Sequence, residues 1–128
     1  MENSKLSLSI LPQKLAVCRL DKDAQIPSWV EGDSYFSITK TSDELSIVCS
    51  ENRVPNDIKA EKNWSAFKVK GPLDFSLTGI LASLINPLAE AGISIFAVST
   101  FDTDYLLVKS DKLDEAVKVL ISFCNIQK

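Results

Sequence analysis

A pattern that occurs twice along the chain constrains its fold most. Shifted by about 60 residues, Phe36-Ser37-Ile38-Thr39 lies on Phe96-Ala97-Val98-Ser99. The same register sets Ile47-Val48-Cys49-Ser50-Glu51 on Leu107-Val108-Lys109-Ser110-Asp111. Upstream, a shift of about 50 sets Ala16-Val17 on Ala66-Phe67. The difference is a helix, about one turn long in the first half and about four in the second. Each half then reads strand, helix, strand, strand, with a further helix closing the second. That order predicts an α+β fold of two βαββ units, with antiparallel sheets and helices packed on one face. The units divide as residues 1–62 and 63–128. The strand at 6–11 has no partner in the first unit and is free to add to the edge of the second sheet.

Local periodicity fills in the elements. Leu6, Leu8 and Ile10 alternate with Ser7 and Ser9, a half-buried strand that Pro12 ends. Leu15-Ala16-Val17-Cys18 is a second strand, and residues 26–30 give one helical turn closed by Gly32-Asp33. Phe36 and Ile38, then Leu45, Ile47 and Val48, form a hairpin around the polar turn 40–44. Residues 52–63 are polar, contain Pro55 and predict a connection. Phe67 and Val69 mark a strand that Gly71-Pro72 ends. Leu73, Leu77, Ile80, Leu81, Leu84, Ile85 and Leu88 recur at three- and four-residue steps, which predicts the longest helix, over 76–91. Asp74 or Ser76 caps its start, Gly92 stands where a left-handed stop belongs, and Pro87 bends the last turn. The apolar run 93–98 predicts a strand covered on both faces, and 105–108 its return strand. A last helix starts near Ser110 and carries Leu113, Ala116, Val117 and Leu120 on one face.

Composition then excludes whole classes of function. With 128 residues, 45% of them hydrophobic and 24% charged, the chain has the apolar content to fold rather than stay disordered. Fourteen basic against 17 acidic residues, with no basic block, leave no footprint for nucleic acid or an anionic membrane. No run approaches about 18 apolar residues, the minimum for a membrane-spanning helix. The absence of histidine excludes Ser-His-Asp and Cys-His catalysis and every His-containing metal site. Cys18, Cys49 and Cys124 are odd in number, lack CxxC spacing and lie in apolar stretches, which predicts reduced, buried thiols. Reduced thiols lead to the expectation of a cytoplasmic location, and the polar residues 1–5 lack the apolar stretch of a signal peptide. Serines and threonines are plentiful, but none has a basic partner in a nucleophile arrangement. No catalytic residue, cofactor motif or metal site is expected, and the chain does not read as an enzyme.

The second half carries a longer signature. Gly-Pro-Leu-Asp-Phe-Ser-Leu-Thr-Gly-Ile-Leu-Ala-Ser-Leu (71–84) runs into Pro-Leu-Ala-Glu-Ala-Gly-Ile-Ser-Ile-Phe (87–96) and Ser-Thr-Phe-Asp-Thr-Asp-Tyr-Leu-Leu-Val (99–108). This resembles the ACT-domain proteins, specifically small bacterial tandem-ACT proteins related to the regulatory part of aspartate kinase. It is also similar to the ACT domains of the cytosolic arginine sensors of animals. Leu-Ala-Val-Cys-Arg-Leu (15–20) and Asp-Glu-Leu-Ser-Ile-Val (43–48) fit the family's first unit more weakly. The resemblance implies tandem ferredoxin-like units that bind small ligands, often amino acids, where ACT units meet. Carried over by position, the ligand-facing segments are 71–74 with Asp74, Gly92-Ile93, and the loop Thr100, Phe101, Asp102, Thr103, Asp104. In the animal sensors the aspartate that ends this loop faces the ligand side chain, and Asp104 holds that place.

Each of these residues also has a plainer role. Backbone amides near Gly92 and Ile93 can hold a carboxylate, or Gly92 simply stops a helix. Asp102 and Asp104 can receive an ammonium, or serve a solvated turn; two carboxylates are too few for a metal. Phe101 covers a ligand, buries in a partner or packs on its own sheet. Trp29 and Trp64 read as packing anchors rather than ligand platforms. The expectation is a non-catalytic regulatory protein that binds a small molecule, an amino acid, as a homodimer. The alternative is a ligand-free dimerisation or protein-interaction module of the same fold.

Overall fold

The computed structural model describes residues 6–70 and 79–127. Its strands and helices are β1 (Leu6–Ile10), β2 (Leu15–Leu20), β3 (Ser37–Lys40), β4 (Leu45–Ser50), β5 (Lys59–Val69), α1 (Ile80–Glu90), β6 (Phe96–Ser99), β7 (Asp104–Lys109), α2 (Leu113–Leu120) and β8 (Cys124–Gln127). Short 3-10 turns lie at Ser28–Val30, Glu51–Arg53 and Ser110–Lys112. The result is a mixed α/β fold of many strands and few helices. The chain divides into two compact units, Gln13–Trp64 and residues 6–12 with 65–127.

In the first unit the strand order is β3-β4-β2 followed by the start of β5, and every neighbouring pair is antiparallel. Alternate residues make its core: Ala16 and Cys18 from β2, and Leu45, Ile47 and Cys49 from β4, with Val30 and Val54 over them. The connection expected over 52–63 is corrected here, because β5 already starts at Lys59. This stretch of β5 is the outer strand of its unit, so Lys59, Glu61 and Lys62 stay in water. A period of two is then invisible in composition. Asn63, at φ 70°, sits where the β2–β5 register slips between Leu15 and Val17, a bulge that re-aims the strand.

In the second unit the order is β8-β1-β5-β7-β6. The N-terminal strand is not at an edge. Leu8 faces Val69 of β5 on one side and Ile126 of β8 on the other. The β1–β8 pair is parallel, which corrects the expectation of purely antiparallel sheets. Strand β8 has no counterpart in the sequence reading, because Cys-Asn-Ile-Gln is too short and mixed to show a period. Phe67 and Val69, Leu106 and Val108, Leu84 and Leu88, and Ala116 and Leu120 recur at strand and helix spacings and close one core with Leu8 and Cys124. Each large apolar side chain buried there contributes roughly 1.5–3 kcal/mol.

Two further expectations change. Helix α1 starts at Ile80, because Gly79 before it has a left-handed φ of 78° that no helix continues. The expected start at 76–78 and its caps Asp74 and Ser76 lie outside the described residues. α1 remains the longest helix among the described residues. The strand expected over 93–98, covered on both faces, is only Phe96–Ser99. Among the described residues it pairs with β7 alone, and Ala97 and Ser99 are exposed.

The element bounds of the two halves correspond at an offset of 59, one residue less than the register that sets Phe36 on Phe96. Strands β3 and β6, β4 and β7, and the 3-10 turns Glu51–Arg53 and Ser110–Lys112 correspond at the single offset that carries residue 37 to residue 96.

Candidate functional site

The tip of the β6–β7 hairpin gathers most of the singled-out residues. Its turn is built by Thr100, whose amide donates to the Thr103 carbonyl at 2.8 Å. The Thr103 amide donates back to Thr100 Oγ1 at 3.2 Å, and Thr100 Oγ1 donates to the Thr103 carbonyl at 3.1 Å. The Thr103 hydroxyl, only 6% exposed, donates to the Val69 carbonyl and pins the tip to the end of β5. At the base of the turn Ser99 Oγ donates to Asp104 Oδ1 at 2.6 Å, across the last ladder pair. Oδ2 makes no further bond among the described residues. Asp104 is therefore a half-buried carboxylate on a fixed mount with one oxygen still open. Asp102 is exposed, and Phe101 is 81% exposed.

The structure brings Thr100, Phe101, Asp102 and Asp104 together and leaves Gly92 and Ile93 at the far end of β6. Gly92 has φ 78°, its amide donates to the Ala89 carbonyl and the Ile93 amide to the Leu88 carbonyl, each at 3.0 Å. This pattern closes a helix with a left-handed residue, and Ile93 packs in the same core as Leu88. Both amides are engaged, so a ligand carboxylate has to displace two helix carbonyls to use them. Asp74, with 71–73, lies outside the described residues.

Thr103, expected in the ligand-facing loop, is instead buried and bonded to the Val69 carbonyl, and sequence reasoning missed Ser99, which holds the Asp104 carboxylate. The turn itself left a signal. Thr41 occupies the place of Thr100 in the first unit's hairpin: its amide donates to the Glu44 carbonyl at 3.0 Å, and its Oγ1 accepts from the Asp43 and Glu44 amides. Threonine at the first turn position of both hairpins is legible at the repeat offset.

Other candidates resolve as packing. Trp29 lies against the first core and Trp64 is buried. All three cysteines are buried and none is in a disulfide. Cys18 and Cys49 share a hydrogen bond on neighbouring strands. That bond pulls the Cys18 thiol below its usual range against the opposing effect of burial. The same bond, reinforced by burial, pushes the Cys49 thiol far up. With both sulfurs in the core, neither is offered to a substrate. No cluster of three or more metal-ligating side chains exists among the described residues.

Family models match both halves of the chain. The model of the ACT domain matches residues 59–122, and a second family model, of an N-terminal domain, matches 13–57. The human "Cytosolic arginine sensor for mTORC1 subunit 1" is 30% identical over 95 residues, 68% of this chain and 29% of that protein. The chain thus spans less than a third of the length of that relative. A crystal structure of an Agobacterium tumefaciens protein has a TM-score of 0.90 at 42% identity, covering 97% of this chain and 93% of that one. The Clostridium acetobutylicum aspartate kinase shares the fold, with TM-score 0.70 and 14% identity over 94% of this chain and 35% of that enzyme.

Proposed function

The chain belongs to the ACT-domain family, and from that premise we propose that it is a non-catalytic regulatory module of two ACT-like units that binds an amino acid as a homodimer. The observation that carries this is the Asp104 carboxylate, held by Ser99 at the tip of a hairpin that Thr100 and Thr103 lock in place. Asp104 receives the ammonium or a cationic side chain, Asp102 adds negative charge, Thr100 lies beside them and Phe101 covers the ligand. A charge-assisted contact of this kind contributes roughly 1.5–3 kcal/mol. Asp74 belongs to the same proposal through its place in the family's ligand-facing segment. Gly92 and Ile93 act in it by holding the end of α1, which sets where β6 begins.

The tandem arrangement is supported by strand order. The first unit runs strand, turn, strand, strand, turn, strand in the order β3-β4-β2-β5. The second runs strand, helix, strand, strand, helix, strand in the order β6-β7-β5-β8 once the inserted β1 is set aside. Dimerisation is supported by β6, which among the described residues pairs on one side only. A cytoplasmic location is supported by the arginine sensor, named as cytosolic, and no helix among the described residues is long and apolar enough to cross a membrane.

The exposed Phe101 favours a second reading, a module that docks a protein without any ligand. Thermal unfolding in the presence of each of the twenty amino acids separates the two. The ligand reading expects one of them to stabilise the fold by roughly 2.7 kcal/mol at about 100 times its dissociation constant. No shift with any of them favours the docking module.

A further inference from the structure

We propose that Cys18 and Cys49 form a redox switch in the core of the first unit, closed to a disulfide by a hydroperoxide and reopened by a small thiol. Their placement in the sheet carries this. In the β2–β4 ladder Cys18 faces Ile47 and Cys49 faces Ala16. The cysteines thus stand at diagonal corners of one four-residue patch, on the same face of the sheet. Both belong to the core that Val30 and Val54 cover, at 1% and 0% exposure. The ligand reading of the second unit's hairpin uses neither sulfur, so the switch does not depend on the role given to Asp104.

The reduced pair is set for the first chemical step. The two thiols share a hydrogen bond, which brings their sulfurs into contact before any oxidant arrives. That bond favours the Cys18 thiolate against the opposing effect of burial, and the Lys62 cation adds to it. Cys49 keeps its proton as the donor. The thiolate is the nucleophile. It attacks the terminal oxygen of the hydroperoxide and breaks the O–O bond. The released alkoxide takes up the proton that Cys18 gave away, and Cys18 is left as a sulfenic acid. The Cys49 sulfur then displaces that hydroxyl and forms the S–S bond, its own proton leaving with the hydroxyl as water. Two electrons pass from the sulfurs to the hydroperoxide, which ends as an alcohol and water, or as two waters from hydrogen peroxide. An oxidant of that size reaches the pair through local opening of the unit.

The diagonal placement makes the bond a switch rather than a staple. Diagonal neighbours across an antiparallel pair have Cα atoms roughly 7–8 Å apart. A relaxed disulfide holds them at about 4.4–6.8 Å. Closure therefore shears β2 against β4 along the ladder from Leu15 to Leu20, and the cover of Val30 and Val54 shifts with it. A bond formed under that strain is one that small thiols reopen. Disulfides of a reducing compartment are of this transient kind. Cys124 belongs to the core of the other unit and serves as an internal control.

The test treats the full 128-residue chain, folded and without denaturant, with hydrogen peroxide, and removes the excess with catalase. Thiols are then alkylated after unfolding without reductant. Intact mass should show one alkylated cysteine where the untreated chain shows three. Peptide mapping should find Cys18 joined to Cys49, and millimolar glutathione should restore all three thiols. Amide NMR of the oxidised chain should show shifts centred on 15–20 and 45–50, with 80–93 and 113–120 in place. Cys49→Ala should stop Cys18 at a sulfenic acid that dimedone traps; where that variant fails to fold, the wild-type mapping decides. Three alkylated thiols after peroxide, over-oxidation of Cys18 without a disulfide, or a bond to Cys124 would overturn the proposal. So would a disulfide that glutathione leaves closed, or an oxidised chain whose β2 and β4 amides do not move.

Discussion

Asp33 shows how much a single side chain can hold without announcing itself in sequence. Its carboxylate, 4% exposed, accepts from the Ser50 amide at 2.7 Å and from Ser50 Oγ at 2.8 Å, with Arg53 Nε at 3.9 Å. Arg53 in turn donates to the Glu31 and Trp29 carbonyls. Asp33→Ala strands two buried donors and an arginine, and should cost roughly 2–4 kcal/mol in urea unfolding, with Asp33→Asn clearly milder. In sequence, Asp33 was only the polar end of a turn, because its partners sit on another strand. Gly92 was legible for the opposite reason: a positive φ after a helix is a local demand. No atom of the described residues would meet a Cβ at Gly92, so Gly92→Ala should destabilise by about 1 kcal/mol through backbone strain. Asp104 lies between these cases. Its place at the end of a polar loop was readable, but the Ser99 bond that aims it depends on hairpin register.

At the scale of elements, alternation was readable wherever one face of a strand is buried and the other wet. β3 comes nearest to that condition, whereas β4 and β7 are buried on consecutive residues, 47–50 and 106–108, and are legible as apolar runs instead. The start of β5 fails it because its outer position leaves most side chains in water, and β6 misled because an apolar edge strand resembles a covered one. β8 was too short to carry a period. The placement of β1 was beyond local pattern, since it depends on β8. Its insertion between β5 and β8 makes Leu8 a central core residue, 1% exposed. Leu8→Ala should therefore cost roughly 2–5 kcal/mol in chemical denaturation. Ile26→Ala, at a side chain more than half exposed, should stay within about 0.5 kcal/mol. Equal effects at the two sites would mean that β1 does not complete the core of its unit.

For the whole molecule, the similar hairpins of the two units, a β6 edge without a second partner among the described residues and a carboxylate fixed at a loop tip support the proposed ligand-sensing dimer. Sedimentation should find the dimer at micromolar concentration, and a lone monomer at about 100 μM would remove the dimer from the account. The family was legible from the long motif in the second half, whereas the ligand was not, because recognition depends on oxygen and ammonium positions that no motif encodes. The most direct test is titration calorimetry of wild type and Asp104→Ala with the amino acid that stabilises the fold, paired with amide NMR mapping. The account predicts amide shifts centred on 99–104 in the wild type. It also predicts a roughly tenfold or greater loss of affinity in a variant that remains folded, the equivalent of one charge-assisted bond. Affinity equal to wild type in Asp104→Ala, or shifts that leave 99–104 untouched, would contradict it.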